Sequence, residues 1–194
     1  MTAGDEQKRS EEGKRLLAFY EGGCRNDAGQ YLEEILQWTD AQLEHGHRQV
    51  QWLCPNWNRS GADPTAPRLS NEAITRFRQT PALQEKVSRV FDRWLAFFGL
   101  TKKGDEIVRD SSFHVQAEGT TEAPGWLAPR NNDYNHNYSR LTRILHWLQS
   151  LGKQDEAMAL FRCLEEIYRD PKYTNRISEK KALTYGIKRW ASRI

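Results

Sequence analysis

The chain lacks any apolar run near the ~20 residues that a membrane-crossing helix needs; the best stretch, Trp94 to Leu100, is far too short. It also lacks a secretory signal, because Met1 to Glu12 is polar and charged where an apolar segment would stand. It has only three cysteines, Cys24, Cys54 and Cys163, odd in number and widely spaced, which suits neither a disulfide framework nor a cysteine zinc site. No charge sign dominates: 29 Lys and Arg against 26 Asp and Glu give +3, too little for a protein that coats nucleic acid. Glycine-rich phosphate loops, a serine nucleophile elbow and a His-Glu-x-x-His helix are missing, so no enzyme class is legible. These absences predict a soluble, intracellular protein, cytoplasmic or, in a eukaryotic cell, nuclear, that is not an enzyme of recognisable type.

What the chain does have is aromatic weight. Seven Trp, seven Tyr and seven Phe among 194 residues mark a chain that folds, since disordered chains are poor in aromatics. The length predicts one domain, 13–194, behind a flexible tail, 1–12. Apolar spacing is helical: a short helix at 14–20, then 31–44 with apolar positions at Tyr31, Leu32, Ile35, Leu36, Thr39 and Leu43. His47 to Pro55 reads as either a helical turn or a short strand. Ser70 caps a helix ending near Arg78. Thr80, Pro81 and Gly99 bracket a core helix with Leu83, Val87, Val90, Phe91, Trp94, Leu95 and Phe98 on one stripe. Further helices are predicted at 137–151, 155–169 and 178–192. Between them, residues 101–135 form a long loop insertion in which Ile107-Val108 and Phe113-His114-Val115 pair as a small hairpin. The expected fold is all-α, a single irregular helical domain of about six or seven helices.

Few side chains suggest chemistry. His45-Gly46-His47 offers two imidazoles but no third donor at a supporting spacing, so no metal and no cofactor are expected. Glu33-Glu34 and Glu165-Glu166 diverge by about 100° on a helix and are not acid/base couples. The basic set Lys180, Lys181, Lys188, Arg189 and Arg193 has no interleaved exposed aromatics, because Tyr185 and Trp190 read as core; nucleic acid is therefore not an expected partner. More informative is His136 to Leu145. On a helix, Leu141, Ile144, Leu145 and Leu148 make one face, and His136, Arg140, Arg143 and Trp147 a second stripe beside it. Two guanidinium groups one turn apart suit a carboxylate or phosphate; equally, they suit a solvated face paired with acids of neighbouring helices.

Three segments, His47 to Pro55, Phe97-Phe98-Gly99-Leu100 and His136-Asn137-Tyr138-Ser139-Arg140-Leu141-Thr142-Arg143-Ile144-Leu145, resemble the conserved region of the opioid growth factor receptor family in order and separation. The likeness spans about Tyr31 to Leu151, fading toward Trp190, and departs at Cys54, where an aromatic is usual. It implies a helical fold and a non-enzymatic module that binds a small peptide or other anionic, partly aromatic ligand. Vertebrate members of that family bind the pentapeptide Tyr-Gly-Gly-Phe-Met, associate with the nucleus and restrain proliferation. They also carry C-terminal extensions with repeats, and this sequence reads as a compact member without them. Seven residues of the family's two blocks are the candidate ligand-binding set: Arg140 and Arg143 for an anionic group, Trp52 as an apolar wall, and His47, Gln51, His136 and Asn137 as hydrogen-bonding groups. The same residues also suit plain packing of Trp52, Leu53 and Pro55 against the Leu141 helix. Two other functions stay open: an enzyme using His47 or His136 as acid/base, and a helical protein–protein adaptor with an exposed apolar patch.

Overall fold

A computed structural model describes residues 3–61, 63–118, 125–127 and 135–174. In chain order these hold α1 (Ala3–Glu21), α2 (Leu32–Leu36), α3 (Asp40–His45), α4 (Gln49–Leu53), α5 (Asn71–Gln79), α6 (Pro81–Phe97), β1 (Leu100–Lys103), β2 (Glu106–Arg109), α7 (Phe113–Glu118), α8 (His136–Ser150), α9 (Gln154–Arg169) and α10 (Pro171–Thr174). Among the described residues the fold is all-α apart from one antiparallel hairpin. It divides into two compact units, residues 1–93 with 150–152 and residues 94–149 with 153–194. The helix expected at 178–192 lies outside the described residues.

In the first unit, α1 begins at Ala3, so residues 3–12 are helix and not the tail their charge suggested. The cause is a buried ion pair. Arg68 donates from Nε to Glu12 Oε2 at 2.6 Å and from Nη2 to Glu12 Oε1 at 3.4 Å, while its backbone N–H meets Oε2 at 3.1 Å. Arg68 Nη1 also reaches Asp5 at 3.1 Å, and that hydrogen bond holds the Asp5 carboxyl below the usual carboxylate range. α1 then lies so close to α5 that a Cβ on Gly13 would stand 2.3 Å from Ser70 Oγ, the atom that caps α5 by accepting from the Ala73 N–H.

The helix expected at 31–44 is broken. Thr39 turns from a helix position into an N-cap: its hydroxyl accepts from the Gln42 N–H at 3.3 Å, and Gln42 Oε1 accepts from the Thr39 N–H at 2.9 Å. Arg93 holds the break by donating to Trp38 O and Asp40 Oδ1, both at 2.7 Å. α2 is tied to α6 through Glu33, which Lys86 meets at 2.5 Å and Arg89 grips with two nitrogens at 3.0 and 2.6 Å. The core of this unit joins Phe19, Tyr20, Trp52 and Phe77 edge to face, with Tyr20 OH donating to Leu53 O.

In the second unit the hairpin is Leu100–Lys103 with Glu106–Arg109, not Ile107-Val108 with Phe113-His114-Val115. Gly104 supplies φ +61° at the turn, and Asp110 Oδ1 accepts from the N–H and the hydroxyl of Ser112, which starts α7 at Phe113. The 101–135 insertion thus carries a hairpin and a helix of its own. Aromatic rings run through the unit from Trp94 to Phe98, Trp126, Phe113 and Tyr173, at centroid separations of 5.4 to 6.1 Å.

Two outcomes follow. Glu12→Gln leaves the buried Arg68 guanidinium with the part-exposed Asp5 as its carboxylate partner and is expected to cost about 3 kcal/mol in denaturant unfolding, most of it recovered by pairing the change with Arg68→Met. The Arg89 hydrogen bonds, and after them that of Lys86, lower the Glu33 carboxyl to about 2 from its ordinary 4.5. Its contribution is complete above about pH 5 and is lost as pH falls toward 2. Because the side chain is 46% exposed, solvent screening limits the loss in Glu33→Gln at pH 7 to less than about 1 kcal/mol, and unfolding curves at falling pH should converge with the parent.

Candidate functional site

The candidate residues divide between the two units. In the first, α4 carries Gln51 and Trp52, and the undecided segment His47 to Pro55 is therefore helical at its centre. Trp52 is 2% exposed, packed edge to face on Phe19 at 5.1 Å, with the Arg15 guanidinium 5.1 Å over its ring. Gln51 is buried, and its Oε1 accepts no hydrogen bond among the described residues. His47 is exposed just before α4. Its neighbour His45 turns Nδ1 onto Ala41 O at 2.7 Å.

In the second unit, α8 orders the other four. Its apolar face, Leu141, Ile144, Leu145 and Leu148, is buried as the spacing predicts. The second stripe is buried too, in part. Trp147 is fully covered and Arg140 is 4% exposed, while His136 and Arg143 are half-buried. Arg140 is therefore not on a solvated face. Its Nη1 donates to Asn137 Oδ1 at 2.9 Å, and its guanidinium lies 5.8 Å from the Trp94 ring and 5.9 Å from that of Phe97. Asn137 has no exposed surface, and its own N–H donates to Asn135 Oδ1 at 3.0 Å. An amide acceptor one turn before the arginine and two aromatic faces make a buried cation tolerable.

Sequence reasoning missed a groove of about 590 Å³ in the same unit, lined by Lys102, Asp105, Glu106 and Ile107 of the hairpin and Asp155, Met158, Ala159 and Arg162 of α9. The i, i+3, i+4, i+7 spacing on α9 was readable, but the hairpin that faces it had been placed elsewhere.

Among the described residues, no three His, Cys, Asp or Glu side chains converge as metal ligands. All three cysteines are free thiols, and burial pushes Cys163 up to about 12, away from thiolate reactivity. Among the described residues Val115 is the one large hydrophobic side chain that stands exposed. No helix of the described residues is long and apolar enough to cross a membrane.

The opioid growth factor receptor conserved region matches residues 9–175. The opioid growth factor receptor of Rattus norvegicus is 30% identical over 155 residues, 75% of this chain and 24% of that protein. The opioid growth factor receptor-like protein 1 of Mus musculus is 30% identical over 129 residues, 64% of this chain and 25% of that protein. The opioid growth factor receptor of Homo sapiens is 29% identical over 153 residues, 75% of this chain and 21% of that protein. The chain spans about a quarter of the length of the curated relatives it matches. No solved structure matches it.

Arg140 lies inside the matched span, and its surroundings make it a support of the second unit. Arg140→Ala is expected to cost at least about 2 kcal/mol in denaturant unfolding, through lost packing and the lost hydrogen bond to Asn137 Oδ1. Arg143→Ala, half-buried, should cost clearly less in the same measurement.

Proposed function

The chain belongs to the opioid growth factor receptor conserved-region family, and on that premise we propose that it is a non-enzymatic binding module for a small peptide or other anionic, partly aromatic ligand. The observation that carries this reading is the match of 9–175, with both candidate blocks inside it, to a region of proteins named as receptors for a growth factor. For the second unit the reading assigns Arg143 to the ligand's anionic group and His136 to a hydrogen bond beside it, because these are the half-buried members of the α8 stripe. Arg140 and Asn137 hold that helix face from below. For the first unit it assigns His47 as the exposed polar group, with Gln51 and Trp52 as its buried support.

Calorimetric titration of the purified chain with Tyr-Gly-Gly-Phe-Met, and with the same peptide amidated at its C-terminus, tests the proposal. The expected result is saturable micromolar binding that weakens about tenfold on amidation, with a similar loss in Arg143→Gln and partial retention in Arg143→Lys. Absence of heat with the free peptide, equal binding of both peptides, or unimpaired binding by a folded Arg143→Gln would each reject it.

A further inference from the structure

We propose that Arg9, on the second turn of α1, is the receiving group of a binding site for a small oxyanion, the carboxylate or phosphate end of a ligand, with Trp57 as its cover. The site lies wholly in the first unit and does not depend on the α8 residues.

Arg9 keeps only 9% of its surface exposed, yet its Nε and Nη1 are covered and have no hydrogen-bond partner. It enters no ion pair among the described residues. What lies against it is the Trp57 ring, whose centroid is 4.0 Å from the guanidinium carbon. A ring face attracts the cation but supplies no lone pair to the two covered N–H groups. Buried donors are matched in folded proteins, and a buried charge is costly until it is paired.

The surrounding charges leave one positive charge uncancelled. Arg9 and Arg59 stand close enough to Asp5 for their charges to help keep its carboxyl low, after the Arg68 hydrogen bond that does most of it. Three guanidinium groups therefore gather at two carboxylates, Asp5 and Glu12. Arg68 takes both oxygens of Glu12 and one of Asp5. Arg59 stands 3.7 Å from Glu12 Oε1 and donates to Pro64 O. Asp63, the other buried carboxylate in the segment 54–70, is turned onto the N–H and hydroxyl of Thr65 at 3.1 and 2.6 Å. The surplus charge is thus Arg9's own.

The kind of ligand follows from what Arg9 lacks. A water molecule would supply an acceptor but no charge, and a cationic ligand would add to the surplus. An oxyanion supplies both the acceptor and the charge, in a short charge-assisted hydrogen bond. Trp57 is half-buried between α4 and α5, so an anion arriving at Arg9 alters the surroundings of an indole that also meets solvent.

The test is thermal unfolding of the full chain in sodium acetate and in sodium phosphate, each against sodium chloride at equal ionic strength. The expected result is a saturable rise in melting temperature, about 3–6 °C at ten times the dissociation constant, with a change in tryptophan fluorescence at the same midpoint. The anion of lower midpoint names the group that the site prefers. Arg9→Met should abolish the rise while leaving the melting temperature in chloride equal or higher, because it removes an uncompensated charge and keeps an apolar stem against Trp57. Trp57→Phe keeps an aromatic cover and should retain the rise but lose the fluorescence change. No rise beyond that in chloride, a rise that survives in Arg9→Met, or an Arg9→Met less stable than the parent in chloride would overturn the proposal.

Discussion

Phe113 passes so close to Gly99 that a Cβ on the glycine would sit 2.6 Å from Phe113 Cα and 3.0 Å from its nitrogen. Gly99 also takes φ +68°, a conformation that side chains resist, so the position is closed to other residues on two counts. From this contact the second unit is assembled. α6 ends, the chain turns directly into β1, and the Asp110 N–H returns to Gly99 O at 2.9 Å to close the hairpin. Phe113 is thereby delivered onto Trp126 and Tyr173, while Trp126 Nε1 donates to Phe98 O at 3.1 Å. The groove beside α9 exists because the hairpin is held in this way.

Buried charge is the second organising feature, and each unit solves it differently. Arg68 is neutralised by carboxylates, chiefly Glu12, in a pair reaching across 56 residues of sequence. Arg140 donates to the Asn137 amide oxygen and lies against the faces of Trp94 and Phe97. An ion pair that loses one partner leaves a full charge in a poorly solvating place, whereas a cation over rings loses dispersion and packing as well as charge. In both cases the arginine is a structural element first.

How much was legible in the sequence depended on how local the cause was. The Thr80–Pro81 start and Gly99 stop of α6 are local chemistry, and the helix lies where they put it. α8 and α9 were equally readable from their apolar periods. Thr39 sat at a helical spacing, but its hydroxyl prefers the cap that Gln42 completes, and the period could not reveal that competition. The hairpin was misplaced because Thr101, Lys102 and Lys103 are exposed and carry no apolar alternation, while the more apolar Phe113-His114-Val115 belongs to α7. Glu12 looked solvated because the arginine that buries it, Arg68, is distant in sequence. Among the candidate site residues, the helix stripe on α8 was correctly drawn, but the burial of Arg140 required knowing that Trp94 and Phe97 lie against it.

Amide hydrogen exchange of the chain with and without saturating Tyr-Gly-Gly-Phe-Met addresses the central claim most directly, because it reports where a ligand acts as well as whether it does. The account predicts slower exchange in the first two turns of α8, around His136 to Arg143, and clearly weaker protection from the amidated peptide at a concentration that half-saturates the free one. Unchanged exchange throughout α8, or the same protection from both peptides, would contradict it.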